Sequence, residues 1–570
     1  MGTVGGTGEA ESGAGPGPSE TPDRGRPGSL WAPLRRRLFR ALWIAQLVAN
    51  TGTWMQIVGA QWLMGDLGGG AFSIALVQTA TTLPVFLLVV PAGALGDILD
   101  RRHLLLVSQA ITFTGAAALA ALTATGVTTQ ALLLALSALM AVGQAFSTPA
   151  FQAIQPELVG REEIPQAALL NGANGNLARA VGPALGGVLI ALSGPAATFA
   201  LNAASFLGVI AVLFAWRRPP DHRPLGAEYI HDAIRAGARY VRSAPSFGAV
   251  LWCTVTFAFF ASGMWALLPA LARGPLGLGA GGYGTLLGAV GLGAIAGAFT
   301  LPRLGVRLGQ NAIVASAAVS YAVMMAVIGT VGNLAVVIAA LFLSGMTWIA
   351  VLSTLGASSL LLLPEWTRAR ALAYYQLAFM GGQAIGALVW GAVAGHTGLA
   401  AAFLLPAAAL VLSTPVGLRR VPLPTGHLDM RQARHFPEPP SDLASHEGPV
   451  LVVIEWCVRP ENAAAFAAAM RPVGQARRRT GATMWGLFRD MEDPDVFVET
   501  FTVATAYEHL RQHFERGTIR DRELQEQALA LVAPGTRPHV RHLIWSYAAL
   551  PGPGAEGPEL MSLASLLRPR

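Results

Sequence analysis

The chain contains no lysine; every one of its 39 Lys+Arg residues is arginine. Codon bias in a GC-rich genome accounts for this. Its chemical consequence is that no Gly-rich phosphate loop ending in Gly-Lys-Ser/Thr can be completed, which excludes an ATP-driven motor of that kind. Charge of either sign is also scarce. Asp, Glu, Lys and Arg together make up 12% of the residues, about half the share in soluble domains. Two cysteines, Cys253 and Cys457, are too few for a disulfide framework. No Asp or Glu falls in the middle of an apolar run, and Asp66 and His396 lie at run ends. A proton-coupled carrier needs a titratable group that changes exposure. Asp66, Asp97 and His396 are weak candidates for it.

In place of charge the chain has hydrophobic length. Windows of ~20 apolar residues, enough to cross a bilayer's hydrocarbon core, recur from about 41 to 418. Lipid offers the backbone no partners, so each run must be a helix. Twelve spans are expected, roughly at 41–63, 72–95, 104–125, 131–150, 170–192, 197–216, 247–271, 283–302, 311–330, 335–355, 371–394 and 400–418. The fold class is that of an all-α polytopic membrane protein. Residues 1–33, rich in Gly, Pro, Glu and Ser, read as a disordered tail and not as a signal peptide.

The net charge of +7 divides into +9 over residues 1–420 and −2 over 421–570. The basic excess sits in short loops between apolar runs, not in a nucleic-acid-binding face. One set of connections collects arginines such as Arg35–Arg37, Arg101, Arg102, Arg161, Arg217, Arg303, Arg368 and Arg419; the alternate set holds Arg273 alone. By the positive-inside rule this places both termini and the 217–246 linker in the cytoplasm, with the chain in the cytoplasmic membrane.

That linker splits the spans into bundles of six, 34–216 and 247–420. The halves echo each other: STPAFQAIQPELVGR (147–161) matches STLGASSLLLLPEWTR (353–368), and GPALGG (182–187) matches GQAIGA (382–387). Two similar bundles around a central site are what a rocking transporter needs. After a second linker, 421–448, the order β-α-β-β-α-β predicts a small cytoplasmic α+β ferredoxin-like domain over 449–548. A disordered tail, 549–570, follows.

The most awkward stretch is NLARAVGPALGGVLI (176–190). Gly182, Gly186 and Gly187 give a helix face along which another backbone can approach closely. Pro183 removes one helical hydrogen bond and favours a kink. A plain packing helix would use the same glycines. Arg179 either faces a wet cavity, or lies near the helix end and snorkels. In GALGDILDRR (93–102), Gly93, Asp97, Arg101 and Arg102 form a turn whose charges could bond helix ends in one conformation and release them in another; a plain positive-inside turn is the alternative. Polar and aromatic residues of the central spans outline a candidate substrate cavity. These are Asn50, Trp54 and Gln61 on one face of the first span, with Gln144, Asn176, Arg179, Trp265, Trp348, Gln376 and Gln383. Packing or an interfacial belt is the alternative for each aromatic.

The Gly93-x-x-x-Asp97-x-x-x-Arg101-Arg102 pattern resembles the loop 2–3 signature of the major facilitator superfamily, with Asp100 where a glycine is usual. GPALGG resembles the span-5 signature of its exporter branches. NTGTWMQ (50–56) and FSTPAFQAIQPELVGREEIPQAALLN (146–171) are similar to the transmembrane secretion effector group. The likeness covers roughly 38–418. It implies the major facilitator fold and a latch between the halves made by Asp97, Arg101 and Arg102, with Glu157 and Glu365 as partners. It further implies proton-coupled export of a small amphipathic molecule by alternating access, without a cofactor. Span 4 departs from the pattern, since ALSALMAVGQAFS lacks the arginine of many drug/proton antiporters. The last domain resembles the dimeric α/β-barrel group of antibiotic-biosynthesis monooxygenases and haem-degrading proteins, which implies a homodimer through it. There EHLRQHFER places His509 and His513 four apart. Two histidines make an incomplete metal site, so a solvated helix face without metal is the expectation. The partners expected are a small-molecule substrate and the lipid bilayer, not nucleic acid. Two other readings stay open: a fused transporter-enzyme whose last domain modifies the cargo, and uptake in place of export.

Overall fold

A computed structural model describes Gly2 and residues 31–98, 100–216, 240–420, 430, 432–433 and 449–545. The tails at 1–33 and 549–570 and the two linkers lie largely outside the described residues. Among the described residues twelve long helices fill the first 420 positions. In the first half these are α1 (Arg37–Asp66), α2 (Ala71–Ile98), α3 (Arg101–Ala124), α4 (Gln130–Leu158), α5 (Ile164–Ser193) and α6 (Pro195–Ala215). In the second they are α7 (Pro245–Arg273), α8 (Ala280–Arg307), α9 (Gln310–Thr330), α10 (Leu334–Leu362), α11 (Arg368–Thr397) and α12 (Leu399–Arg420).

Ten of the twelve are long and apolar enough to cross a membrane. In α1 the run is interrupted by Gln46, Asn50, Gln56 and Gln61, of which Gln56 and Gln61 are buried against other helices. In α12 the apolar part is Leu399–Thr414. Large apolar side chains such as Leu192, Phe214, Phe299 and Leu412 are exposed around the outside of the bundle, where lipid would cover them.

Local chemistry sets the helix ends. Asp100 caps α3 by accepting from the His103 N–H (2.8 Å), and Asn333 caps α10 by accepting from the Ala335 N–H (3.0 Å). Gly194 (φ +78°) turns α5 into α6, and Gly398 (φ +90°) turns α11 into α12. A left-handed joint of this kind favours glycine, and it recurs at the same place in each half. Helix α5 starts six residues before the expected boundary, because Pro165 sits in its first turn, where proline is tolerated. Arg179 therefore lies near the middle of α5, which corrects the reading that placed it at a helix end.

The internal repeat reappears as packing. A Cβ at Gly182 would meet Trp54 Cβ at 2.6 Å, and one at Gly186 would meet Met55 Cα at 3.0 Å, both on α1. In the second half a Cβ at Gly382 would meet Ala258 Cβ on α7 at 2.9 Å, while Gly386 presses on Phe259 O and Ser262 Oγ. In each bundle the fifth helix thus lies backbone to backbone on the first. Gly187 points elsewhere: it abuts Gly284 of α8, in the other half.

Residues 449–545 form a four-stranded antiparallel sheet in the order β2-β3-β1-β4. Its strands are β1 (Val450–Cys457), β2 (Ala482–Arg489), β3 (Val496–Val503) and β4 (His539–Ile544). Helix α13 (Ala463–Thr480) follows β1; α14 (Ala506–Arg511), a π turn over Gln512–Arg516 and α15 (Ile519–Leu529) lie between β3 and β4. One buried ion pair sits under the sheet: Arg477 Nε donates to Glu499 Oε1 at 3.1 Å, beside the Trp485 indole N–H at 3.0 Å. Arg477→Met should destabilise this unit by about 3–5 kcal/mol, because it strands a buried carboxylate. Faster amide exchange along β3 is the expected readout, and unchanged exchange would show that the pair contributes little.

Candidate functional site

The two bundles meet differently at their two ends. At the end carrying Asp66 and Arg273 they are locked. Arg273 Nη2 donates to Asp66 Oδ1 (2.8 Å) and to the Trp62 carbonyl (2.6 Å), and its guanidinium lies 3.6 Å from the centre of the Trp62 ring. Tyr283 of α8 stacks on Trp62 and donates its hydroxyl to Gln61 Oε1 (2.8 Å). The Gly187–Gly284 contact closes the same end.

At the arginine-rich end a cavity of about 700 Å³ opens between α1, α4, α5 and the start of α11. Trp43, Gln46, Asn50, Gln144 and Arg368 are among its walls. Its polar wall is braced: Asn50 Nδ2 donates to Asn174 Oδ1 (2.9 Å), and Asn174 Nδ2 donates to the Trp43 carbonyl (2.9 Å). Asn50 is thus occupied in tying α1 to α5. A second cavity, of about 410 Å³ between α1, α5 and α6, is lined mainly by Leu, Val and Met, and its two hydroxyls, Thr51 and Ser205, are bonded to carbonyls of their own helices.

Trp54 lies one helical turn beyond Asn50. It starts an aromatic chain that crosses between the halves: Trp54 to Trp265 at 6.4 Å between ring centres, Trp265 to Trp348 at 5.3 Å, Trp348 to Phe379 at 6.2 Å. The Arg179 guanidinium stands 5.3 Å from the Trp54 ring. Three donors in this group are buried with no acceptor: Arg179 Nε, Trp265 Nε1 and Trp348 Nε1. Buried polar groups are nearly always paired, so a cluster of orphaned donors marks a place that something else completes.

The expected residues distribute as follows. Trp54, Arg179, Trp265 and Trp348 come together at the centre, and Gln144 lines the cavity. Gln61 is held by Tyr283 in the locked end. Asn176 is exposed on α5, Gln376 is half-buried and Gln383 is buried on α11. Among the latch residues, Arg101 bridges Glu157 (2.8 Å), and Arg102 donates to the Leu213 and Phe214 carbonyls at the end of α6; these bonds run within the first half. Gly93 and the side chains of Asp97 and Glu365 lie outside the described residues. Helix α5 runs unbroken through Pro183, and His396 is exposed at the end of α11. The Asp66–Arg273 lock and the role of Tyr283 were not foreseen. The available signal was that Arg273 is the lone arginine of its set.

A family model described as transmembrane secretion effector matches residues 28–549. The chain belongs to the transmembrane secretion effector family. Members of this family are transporters of the major facilitator type, and the chain is a multi-pass membrane transporter. It is 28% identical over 366 residues to the enterobactin exporter EntS of Salmonella choleraesuis (strain SC-B67), spanning 62% of this chain and 84% of that protein. It is 29% identical over 163 residues to the staphyloferrin A transporter of Staphylococcus aureus (strain NCTC 8325 / PS 47), spanning 28% and 41%. Among solved structures, a POT family transporter in complex with 5-aminolevulinic acid superposes with a TM-score of 0.56 at 12% identity, covering 68% of this chain and 96% of that one. That likeness supports the fold.

Proposed function

We propose that this transmembrane secretion effector exports an acceptor-rich, anionic, aromatic-compatible molecule of the siderophore type across the cytoplasmic membrane. The observation that carries this is the donor-only centre of Arg179, Trp265 and Trp348, set among stacked rings. Such a site binds carboxylate, phenolate or carbonyl oxygens, while the unpartnered Gln46 Oε1 in the adjoining cavity accepts from a hydroxyl of the same cargo. The arginine-rich end is cytoplasmic in this reading, so the cavity opens toward newly made cargo. The names of the enterobactin and staphyloferrin relatives support the same class. Rocking then breaks the Asp66–Arg273 lock and frees the exposed Asp66 carboxylate of its cation, which makes it the group placed to exchange a proton during the cycle. The apolar open face of the last sheet, where Met484, Phe488 and Leu543 are exposed, supports pairing of two chains through that domain.

The test uses proteoliposomes loaded with purified full chain. A catecholate or α-hydroxycarboxylate probe should be moved at least tenfold faster than a lipophilic cation, and collapse of the proton gradient should abolish the difference. Faster movement of the cation would overturn the donor-only account. Gradient-independent movement would overturn the coupling.

A further inference from the structure

The segment after β3 carries a histidine cluster that the transport reading leaves unused. His509 is 1% exposed, which corrects the expectation of a solvated helix face: the helix presses this side against the sheet. His542 explains why. It faces Val452 across the β1–β4 ladder, and Val452 in turn faces Phe501, so the three share the sheet's helix-covered side. Phe501 lies 6.3 Å from the His509 ring, and His542 lies 4.9 Å from it. His513 comes from the π turn, a local widening that is frequent at functional sites. Its Nε2 is 3.1 Å from His509 Nε2. One ligand nitrogen from each of the three rings lies within 4.8 Å of the others.

We propose that His509, His513 and His542 form a binding site for a divalent transition-metal ion of the zinc type. Three imidazoles on a tetrahedral ion, at about 2.0–2.1 Å each, stand roughly 3.3 Å apart. The His509–His513 pair already meets that spacing. His542, half-buried on an edge strand, has only to close the remaining gap.

The surroundings point the same way. Gln512 Nε2 donates to Thr480 Oγ1 (2.9 Å) and to the Arg477 carbonyl (3.4 Å), which turns its Oε1 to His509 Nδ1 at 3.3 Å. The Nδ1 proton is thereby fixed, and the Nε2 lone pair is aimed at His513. A carbonyl holding the far nitrogen of a ligand histidine is the usual outer support of a metal site. Arg477, the nearby cation, is neutralised by Glu499. The fourth position is left to water or an anion.

The experiment takes the full chain, purified without a polyhistidine tag, stripped with chelator and titrated with Co²⁺. One equivalent per chain should bind and give the visible bands of tetrahedral cobalt, and Zn²⁺ should bleach them. H542Q and H513Q, each at a partly exposed position, should weaken binding at least tenfold. Q512L, a change to a positioning residue, should weaken it about tenfold with the stoichiometry kept at one. Absence of the bands, or binding equal to wild type in both histidine variants, overturns the site. Amide exchange in β1 and β3 checks that each variant is folded, and loss of binding counts only where that exchange matches wild type.

Discussion

Gly187→Leu reduces transport by more than tenfold while expression and membrane insertion stay at wild-type levels. The reason is where Gly187 points. A Cβ there would fall on Gly284 Cα and lie 2.8 Å from Gly284 N. Both neighbours are backbone, so no rotamer change relieves the clash. The two glycines belong to opposite bundles and touch in the arrangement in which the Asp66–Arg273 end is shut. Overpacking costs about 1–3 kcal/mol. At about 1.4 kcal/mol per decade, that moves the population of the shut state by roughly ten- to a hundredfold. Gly186→Leu gives a different outcome, because Gly186 lies on α1 of its own bundle; there the loss appears as lower thermal stability. Efflux and melting temperature measured on the two variants decide the matter. Transport by Gly187→Leu within twofold of wild type would refute the closing role.

Arg179→Gln weakens cargo binding by about 10–100-fold and leaves melting temperature unchanged or raised. A charge-assisted hydrogen bond contributes about 1.5–3 kcal/mol, and the Arg179 guanidinium is the only formal charge in the central group. The stability half of the expectation follows from its burial. Arg179 is partly buried and its Nε has no acceptor, and a desolvated donor left unpaired opposes folding. Loss of the charge therefore relieves the empty protein while it harms the loaded one. Arg179→Lys falls between the two, since it keeps the charge but not the planar fork. Binding and thermal unfolding measured on the same preparations give both signs. A cargo affinity unchanged in Arg179→Gln would remove the central donor from the account.

Much of this was legible in the chain itself. Hydrophobic length and arginine placement lead to twelve helices in two halves, and the paired glycine motifs mark the fifth helix of each half as a close-packing one. Trp54, Trp265 and Trp348 were legible as central aromatics because each lies mid-run. Other features depend on contacts remote in sequence. Arg273 reads as an isolated loop arginine until α1 and α7 are brought together beside Asp66. Asn50 reads as substrate-facing and does line the cavity, but its bond to Asn174 on α5 could not be read from the chain. His542 was invisible for a different reason. Only the β1–β4 register decides which face of the edge strand it takes, and a one-residue slip would turn it to the opposite face.

The C-terminal α+β unit touches the helical bundle. Arg516, three residues after His513 in the same π turn, lies 5.1 Å from the ring of Trp366, in the short connection between α10 and α11. That connection leads into the start of α11, where Arg368 and Leu372 line the cavity. A contact at this place would couple the two parts in both directions if the connection shifts during transport, since any such coupling is reciprocal.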